Sequence, residues 1–206
     1  MSAEAAARYP ATSGRAEEII ALAPDLVVAD SFLPAPTRRA LERAGIAVAA
    51  VDVPRSLNDS LAQVRALARL ARREDEGRAL AAELSRAWHV GAAATDRPVV
   101  TLLWQEGGIV PGPDSLAAAL LDHSGFALHS AARGLAQGDY LPLEQVLADP
   151  PQLILSAGGE RALHHPALAA LADTARYDLD PRLLYCGGPT IPRALARLRA
   201  IREELS

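Results

Sequence analysis

The sequence predicts an α/β fold in which two Rossmann-like lobes with parallel sheets are joined by one long helix. Residues 17–29 have the pattern of a short helix, a proline break and a strand, and residues 144–156 repeat it 127 positions later (144 − 17 = 127). A proline ends a helix, and a short apolar run after it is typical of a buried parallel strand. Two copies so far apart indicate two lobes of similar build.

The composition excludes several classes of protein. Half of the residues are apolar, which is enough for a hydrophobic core, and the net charge of −4 argues against a nucleic-acid-binding surface, which requires a basic face. The sequence contains no run of about 18 apolar residues without charges, so it predicts no transmembrane helix. The first residues contain a Glu and an Arg where a signal peptide has its apolar segment, so we expect no signal peptide. The single cysteine, Cys186, excludes an internal disulfide.

Residues 1–56 are expected to form the N-terminal lobe. Its predicted elements are a helix after Gly14, a strand at 26–29, a helix at 37–44 and a strand at 46–51. With Gly14 as N-cap, Glu17 falls at position N3, where an acidic side chain stabilises the positive end of a helix. The alternation of helices and strands favours a parallel sheet.

Residues 57–91 are expected to form the connecting helix. Ser56 and Asp59 have the spacing of a capping box at its start, and the apolar stripe continues to about residue 89 with Gly77 inside it. Two arrangements fit this pattern. The segment is either two helices broken at Gly77 or one rigid strut between the lobes, and its place between the two repeats favours the strut.

Residues 92–206 are expected to form the C-terminal lobe. With Pro142 at position N1 of the second repeat helix, Glu144 falls at N3 and matches Glu17. Residues 126–140 are expected to be irregular. The other predicted elements are strands at 98–104, 153–156 and 182–186 and helices at 115–123, 165–172 and 192–204.

Two motifs together resemble a known family. They are Glu-x-Ile-x-Ala-Leu-x-Pro-Asp-Leu-Val-Val-Ala from Glu17 and Leu-Glu-Gln-Val-Leu-Ala-x-x-Pro-Gln-x-Ile-Leu from Leu143. Their order and spacing resemble those of the substrate-binding proteins of ABC importers for iron-siderophores, haem and vitamin B12, from about residue 9 to residue 202. The family's first strand and helix have no counterpart here, so the resemblance implies a chain that is truncated at its N-terminus, with an N-terminal lobe (residues 1–56) that is partial and incomplete.

The resemblance implies a carrier that performs no chemistry. In this family the ligand, here a metal chelate or cobalamin, lies in a cleft between two lobes, and the protein delivers it to a membrane permease. The resemblance also implies a periplasmic location and no cofactor. The contact with the membrane would be peripheral and made only through the permease complex. Glu17 and Glu144 match the positions at which the vitamin B12-binding member carries glutamates that meet arginines of the two permease subunits. In the alternative interpretation, each glutamate merely completes a helix N-terminus.

Ligand contacts are expected in the loops that follow the strands, because open α/β sheets bind ligands at the carboxyl ends of their strands. A Trp at a strand end offers a flat apolar face to a macrocycle, and the alternative for Trp104 is a core residue that covers the sheet. The candidates are Ser31, Phe32, Trp104, Gln105, Glu106 and Gly158.

The sequence predicts neither a metal site nor catalysis. The histidines, among them the pair His164 and His165, lack the spacing of a zinc site, and His164-His165-Pro166 favours a helix entry. No nucleophile elbow or Ser/His/Asp arrangement is apparent, and the resemblance implies a protein that is not an enzyme. Two further hypotheses remain open at this point: an enzyme or cytoplasmic assembly protein on paired Rossmann-like lobes, and a truncated remnant without function.

Overall fold

The computed structural model describes residues 7–93, 95–159, 165–184 and 186–205. The chain divides into two compact units, Met1–Val53 and Pro54–Ser206. Each unit contains a sheet in which all strands are parallel, and helices alternate with the strands. The predicted α/β class with parallel sheets is therefore confirmed.

The first unit contains one two-stranded parallel sheet. Leu26 lies opposite Ala47, and Ala29 lies opposite Ala50. The elements agree with the predicted ones to within two residues at most ends. They are helix α1 (Ala16–Ala21), strand β1 (Leu26–Ala29), helix α2 (Ala35–Arg43) and strand β2 (Ala47–Ala50).

The core of the first unit is small. Among the residues that the structure describes there, Leu41 is the one that is fully buried. Val28, in the middle of β1, is 49% exposed, and Phe32 after it is 77% exposed. This unit therefore keeps part of its apolar surface in solvent, and a pair of strands is marginally stable by itself.

Of the two arrangements predicted for residues 57–91, the structure has the two helices and not the favoured single strut, and the break does not lie at Gly77. Helix α3 (Leu57–Leu70) and helix α4 (Glu74–Gly91) are separated at Arg72, which adopts a left-handed conformation with φ 54°. The amide of Arg73 then donates to the carbonyl of Ala68 at 2.8 Å and closes the end of α3. The break contains neither Gly nor Pro, so the sequence carried no signal for it.

The predicted capping box at the start of α3 is present. The amide of Asp59 donates to Ser56 Oγ at 3.1 Å, and Asp59 Oδ2 accepts from the amide of Arg55 at 3.0 Å. These hydrogen bonds, that from Arg55 first, hold the pKa of the Asp59 carboxyl below its ordinary value.

Gly77 does not break the helix but lets α4 pack closely on α3. A Cβ atom at Gly77 would lie 2.3 Å from the Cβ of Ala68. At the other end of α4, a Cβ at Gly91 would lie 3.1 Å from Leu195 in helix α8 (Thr190–Glu204), where Arg199 donates to the carbonyl of Val90. The two helices therefore pack within the second unit.

The sheet of the second unit has four parallel strands. They are β3 (Val99–Gln105), β4 (Phe126–Leu128), β5 (Leu153–Ala157) and β6 (Ala175–Asp178), in the spatial order β4-β3-β5-β6. The other helices of this unit are α5 (Leu116–His123), α6 (His129–Ala132) and α7 (Leu143–Ala148). Of the helices that the structure describes, none combines the length and apolar character needed to cross a bilayer.

Three details of this unit differ from the predictions. The stretch at 126–140 is not irregular throughout but contains β4 and α6. The predicted strand at 182–186 is wrong, since the strand is β6 and Pro181–Leu183 forms a 3₁₀ helix; residue 185 lies outside the described residues. The helix predicted at 165–172 is a 3₁₀ helix at Pro166–Ala170.

Both faces of the central strands are covered. Leu103 and Leu155 belong to a core that includes residues of α4, α5 and α8, whereas Leu102, Trp104 and Ile154 belong to a second core with Val146 of α7 among its members. Burial on two faces explains why β3 and β5 are almost continuously apolar in sequence.

Replacing Gly77 by Ala should destabilise the protein although Ala favours helix by about 1 kcal/mol. The new methyl group collides with Ala68, and overpacking of this kind costs about 1–3 kcal/mol. Urea unfolding, followed by the fluorescence of Trp88 and Trp104, measures the change. The Ala68→Gly change should restore part of the free energy of unfolding that Gly77→Ala loses. If Gly77→Ala costs the same free energy in the presence and in the absence of Ala68→Gly, the contact with Ala68 is not the cause.

Candidate functional site

The two repeated segments fold in the same way. Glu17 is the second residue of α1, and Glu144 is the second residue of α7; both helices have six residues. Strands β1 and β5 begin at 26 and 153, which preserves the offset of the glutamates (153 − 26 = 127). The predicted N3 position is therefore off by one in both copies, because the N-caps are Arg15 and Pro142.

Both glutamates are exposed. Neither N-cap residue bonds to its helix through a side chain, so an acid in the first turn is a favourable partner for the helix dipole. This local role does not occupy the carboxylates, which remain accessible to a partner. The geometry of each helix is thus compatible with both interpretations of Glu17 and Glu144.

In the first unit, Ser31 and Phe32 follow β1 and are exposed. Asp30 Oδ1 accepts a hydrogen bond from the amide of Phe32 at 2.9 Å. This Asx-turn fixes the backbone that carries Phe32, so its ring is presented to solvent from an ordered turn.

In the second unit, three of the predicted residues lie at one edge of the sheet. Gln105 ends β3 opposite Ala157, which ends β5. Glu106 and Gly158 each follow directly, so the two loops leave the sheet side by side. Gln105 is buried, Glu106 is exposed and Gly158 is half-buried.

Trp104 belongs to the core. It is 1% exposed, and its Nε1 donates to the carbonyl of Leu141 at 3.1 Å. Its ring therefore offers no free face to a ligand in this structure, which is the alternative that the sequence left open. Through this hydrogen bond, Trp104 instead holds the chain that approaches α7.

Sequence reasoning missed Tyr140, which precedes Leu141 and is 62% exposed. Tyr140 pairs with Ile109 in an isolated antiparallel bridge, and Ile109 accepts from the amide of Gln105 at 2.9 Å. Tyr140 thus lies in the loops beyond the carboxyl end of β3. Its position between Gly138 and Pro142, in a chain with few aromatic residues, was the available signal.

A cavity of about 370 Å³ lies beside the carboxyl ends of β5 and β6. Its lining includes Ser156, Arg176 and Asp178, and also His165, whose Nδ1 accepts from the amide of Ala167. Arg176 donates to the carbonyl of Leu168. His164 lies outside the described residues. Within the described ranges, no three His, Cys, Asp or Glu side chains are grouped as metal ligands.

His129 is a buried titratable residue that ties α6 to the end of α7. Its Nε2 donates to the carbonyl of Asp149 at 3.0 Å, and Arg133 bonds to both the carbonyl and the carboxylate of Asp149. The donor role of Nε2 leaves Nδ1 with a lone pair, and Nδ1 has no partner among the described residues. Burial, the largest cause, holds the pKa of His129 below its ordinary value although the hydrogen bond to Asp149 raises it, and the nearby Arg133 adds to the lowering.

The second unit should therefore lose stability in acid. Because the folded pKa of His129 lies below the unfolded value of about 6.5, the unfolded state binds more protons as the pH falls. The contribution of neutral His129 is fully present above about pH 6.5 and is lost as the pH falls through the folded pKa, with a slope of at most about 1.4 kcal/mol per pH unit.

Urea unfolding between pH 7.5 and pH 5, roughly spanning the unfolded pKa, measures this contribution. His129→Gln should flatten the pH dependence of the free energy of unfolding. His89→Gln is the matched control, since His89 is exposed, and it should keep the wild-type slope. Identical slopes in wild type and His129→Gln would contradict the assignment.

Comparison with known proteins agrees with this architecture. Residues 9–180 match a protein family that is described as periplasmic binding protein. No curated protein matches the chain.

Several solved structures have the same fold. The periplasmic haem-binding protein RhuT from Roseiflexus sp. RS-1, in apo form, is 24% identical, with a TM-score of 0.76 over 90% of this chain and 78% of that one. The vitamin B12-binding protein BtuF of Vibrio cholerae is 18% identical, with a TM-score of 0.67 over 91% and 77%. A protein of an Fe³⁺-hydroxamate transport system from Saccharomonospora viridis DSM 43017 is 23% identical, with a TM-score of 0.70 over 97% and 80%.

At these identities the structures show a shared fold, whereas the family match covers well over half of the 206 residues. That match includes both helix–strand repeats and both sheets. The expectation of a binding protein rather than an enzyme is thereby confirmed. The chain belongs to the periplasmic binding protein family and is a substrate-binding protein.

Proposed function

We propose that this protein is the substrate-binding component of an ABC importer that captures a metal chelate (an iron-siderophore or haem) or cobalamin. The family match across both units carries the proposal. The three structural relatives described above are a haem-binding protein, a vitamin B12-binding protein and part of an Fe³⁺-hydroxamate transport system. All three ligands are bulky, partly apolar chelates.

The residues proposed to contact the ligand are Ser31 and Phe32 within the first unit and Gln105, Glu106 and Gly158 within the second. Loops at the carboxyl ends of parallel strands are where open α/β folds bind ligands. The exposed ring of Phe32 supplies an apolar contact. Trp104 contributes as a support inside the core.

The proposed partner is a permease dimer, which Glu17 and Glu144 contact. Two exposed carboxylates on equivalent helices of two units can each meet a positive group on one of two subunits. Charge complementarity of this kind steers association and fixes orientation, and two linked contacts reinforce each other. The proposed location is periplasmic, and contact with the membrane complex is peripheral.

Ligand binding is tested by titrating the purified protein with haemin, cyanocobalamin and ferrichrome. Absorbance reports haemin and cobalamin binding, and quenching of the Trp88 and Trp104 fluorescence reports ferrichrome. We expect saturable binding of one ligand class at micromolar concentration or below. Absence of saturable binding to all three would contradict the proposal.

The docking role is tested with the reconstituted importer. Glu17→Arg and Glu144→Arg together should abolish the stimulation of the permease ATPase and leave ligand affinity unchanged, because the change reverses both contact charges. Gln145→Arg, at an exposed neighbouring position on α7, is the matched control and should retain stimulation. Loss of ligand affinity in the double variant would refute docking as the role of these residues.

A further inference from the structure

Two loops lie side by side beyond the carboxyl end of β3, one at residues 105–112 and one at 136–141, and they run antiparallel at the bridge between Ile109 and Tyr140. Backbone hydrogen bonds join them. The amide of Leu141 donates to Gly108 and that of Gly138 to Val110, while Val110 donates to Asp139 at 2.9 Å. These bonds tie the backbones of the two loops to each other.

Where these two loops pair, the ring of Tyr140 lies against the backbone of Gly108. A Cβ atom at Gly108 would be 2.3 Å from Cε2 and 2.8 Å from Cδ2 of Tyr140. At distances below 3 Å a side chain at Gly108 would push the ring of Tyr140 from this position, and the φ of 77° at Gly108 also favours glycine. One edge of the ring thus lies against Gly108, while Tyr140 is 62% exposed.

The backbone under Tyr140 is anchored in the core. Leu141 is fully buried, and its carbonyl accepts the hydrogen bond from Trp104. The core position of Leu141 directs Tyr140 outward. Ile109, the bridge partner of Tyr140, is also exposed. An aromatic ring held in this way loses little conformational entropy when a ligand covers it.

We propose that Tyr140 contacts the ligand through its ring and favours ligands with a flat conjugated ring system, and that Gly108 is the residue that positions it. The inference rests on the proposed function and narrows its ligand class. A fixed aromatic face with an apolar neighbour matches an extended planar π-system. A hydroxamate chelate such as ferrichrome has no comparable flat face.

The contact is tested by titrating wild type and two variants with haemin. Tyr140→Phe keeps the ring and should bind like wild type. Tyr140→Ala should weaken haemin binding about tenfold, as expected for the loss of an aromatic contact together with its buried area. An unchanged haemin affinity in Tyr140→Ala would overturn this inference and leave the carrier function standing.

Ferrichrome separates this inference from the proposed function. Saturable binding of ferrichrome but not of haemin or cyanocobalamin by the wild type would support a carrier and overturn the preference for a flat ligand. Absence of binding to all three would refute the carrier function itself, and the preference with it.

The positioning role is tested with two adjacent glycines. Gly107 and Gly108 have φ values of 75° and 77°, so an Ala at either position carries similar backbone strain. A Cβ at Gly107 meets nothing closer than 3.9 Å. Gly108→Ala should therefore weaken haemin binding as Tyr140→Ala does, whereas Gly107→Ala should leave the affinity at the wild-type value.

The double variant Gly108→Ala/Tyr140→Ala removes the collision and keeps the test valid if Gly108→Ala alone folds poorly. If Gly108 acts through Tyr140, the double variant should bind haemin as Tyr140→Ala does. A further loss of affinity in the double variant, beyond that of Tyr140→Ala, would overturn the positioning role.

Discussion

The pairing of β3 with β5 is the interaction on which the second unit depends. Leu102, Leu103, Ile154 and Leu155 lie in the middle of these strands, and all four are fully buried. Because both faces of the pair are covered, helices must pack on either side, and every connection has to pass over an end of the sheet. The parallel register then brings the loops after both strands to the same edge, where the candidate site lies.

Glycine allows close packing in several parts of this unit. At Gly77 and Gly91 it lets α4 approach its neighbouring helices, and at Gly108 it lets the ring of Tyr140 rest on backbone. At Gly112 a Cβ would collide with the backbone at Gln137, and these two residues lie in the paired loops at 105–112 and 136–141. These glycines are therefore explained by contacts between segments that are distant in sequence, and not by turns alone.

The two helix–strand repeats show how one local pattern serves two units that differ in size. In both, a six-residue helix without a capping side chain carries an exposed glutamate in its first turn, and a strand follows at the same spacing. Their surroundings differ, since β5 is buried along its whole length whereas β1 keeps Val28 half-exposed. The local pattern thus sets the helix and strand, and the neighbouring strands set the burial.

The sequence by itself determined the α/β class, the repeated helix–proline–strand units, the capping box of α3 and the resemblance to a family of carriers. Each of these depends on residues close together in the chain or on spacing between equal motifs. Continuous apolar runs also identified β3 and β5, because strands buried on both faces are apolar along their length. The short strands β4 and β6 carry no such signal, and they are strands because they pair with β3 and β5.

Tertiary structure decided the rest. The turn at Arg72 occurs at a residue with no helix-breaking tendency, where the packing of α3 on α4 outweighs the local cost of a left-handed residue. Trp104 and Tyr140 are both aromatic residues near the end of β3, yet Trp104 is buried and Tyr140 is exposed. Contacts between segments more than thirty residues apart in sequence decide which of the two rings is buried. No pattern within either segment encodes that choice.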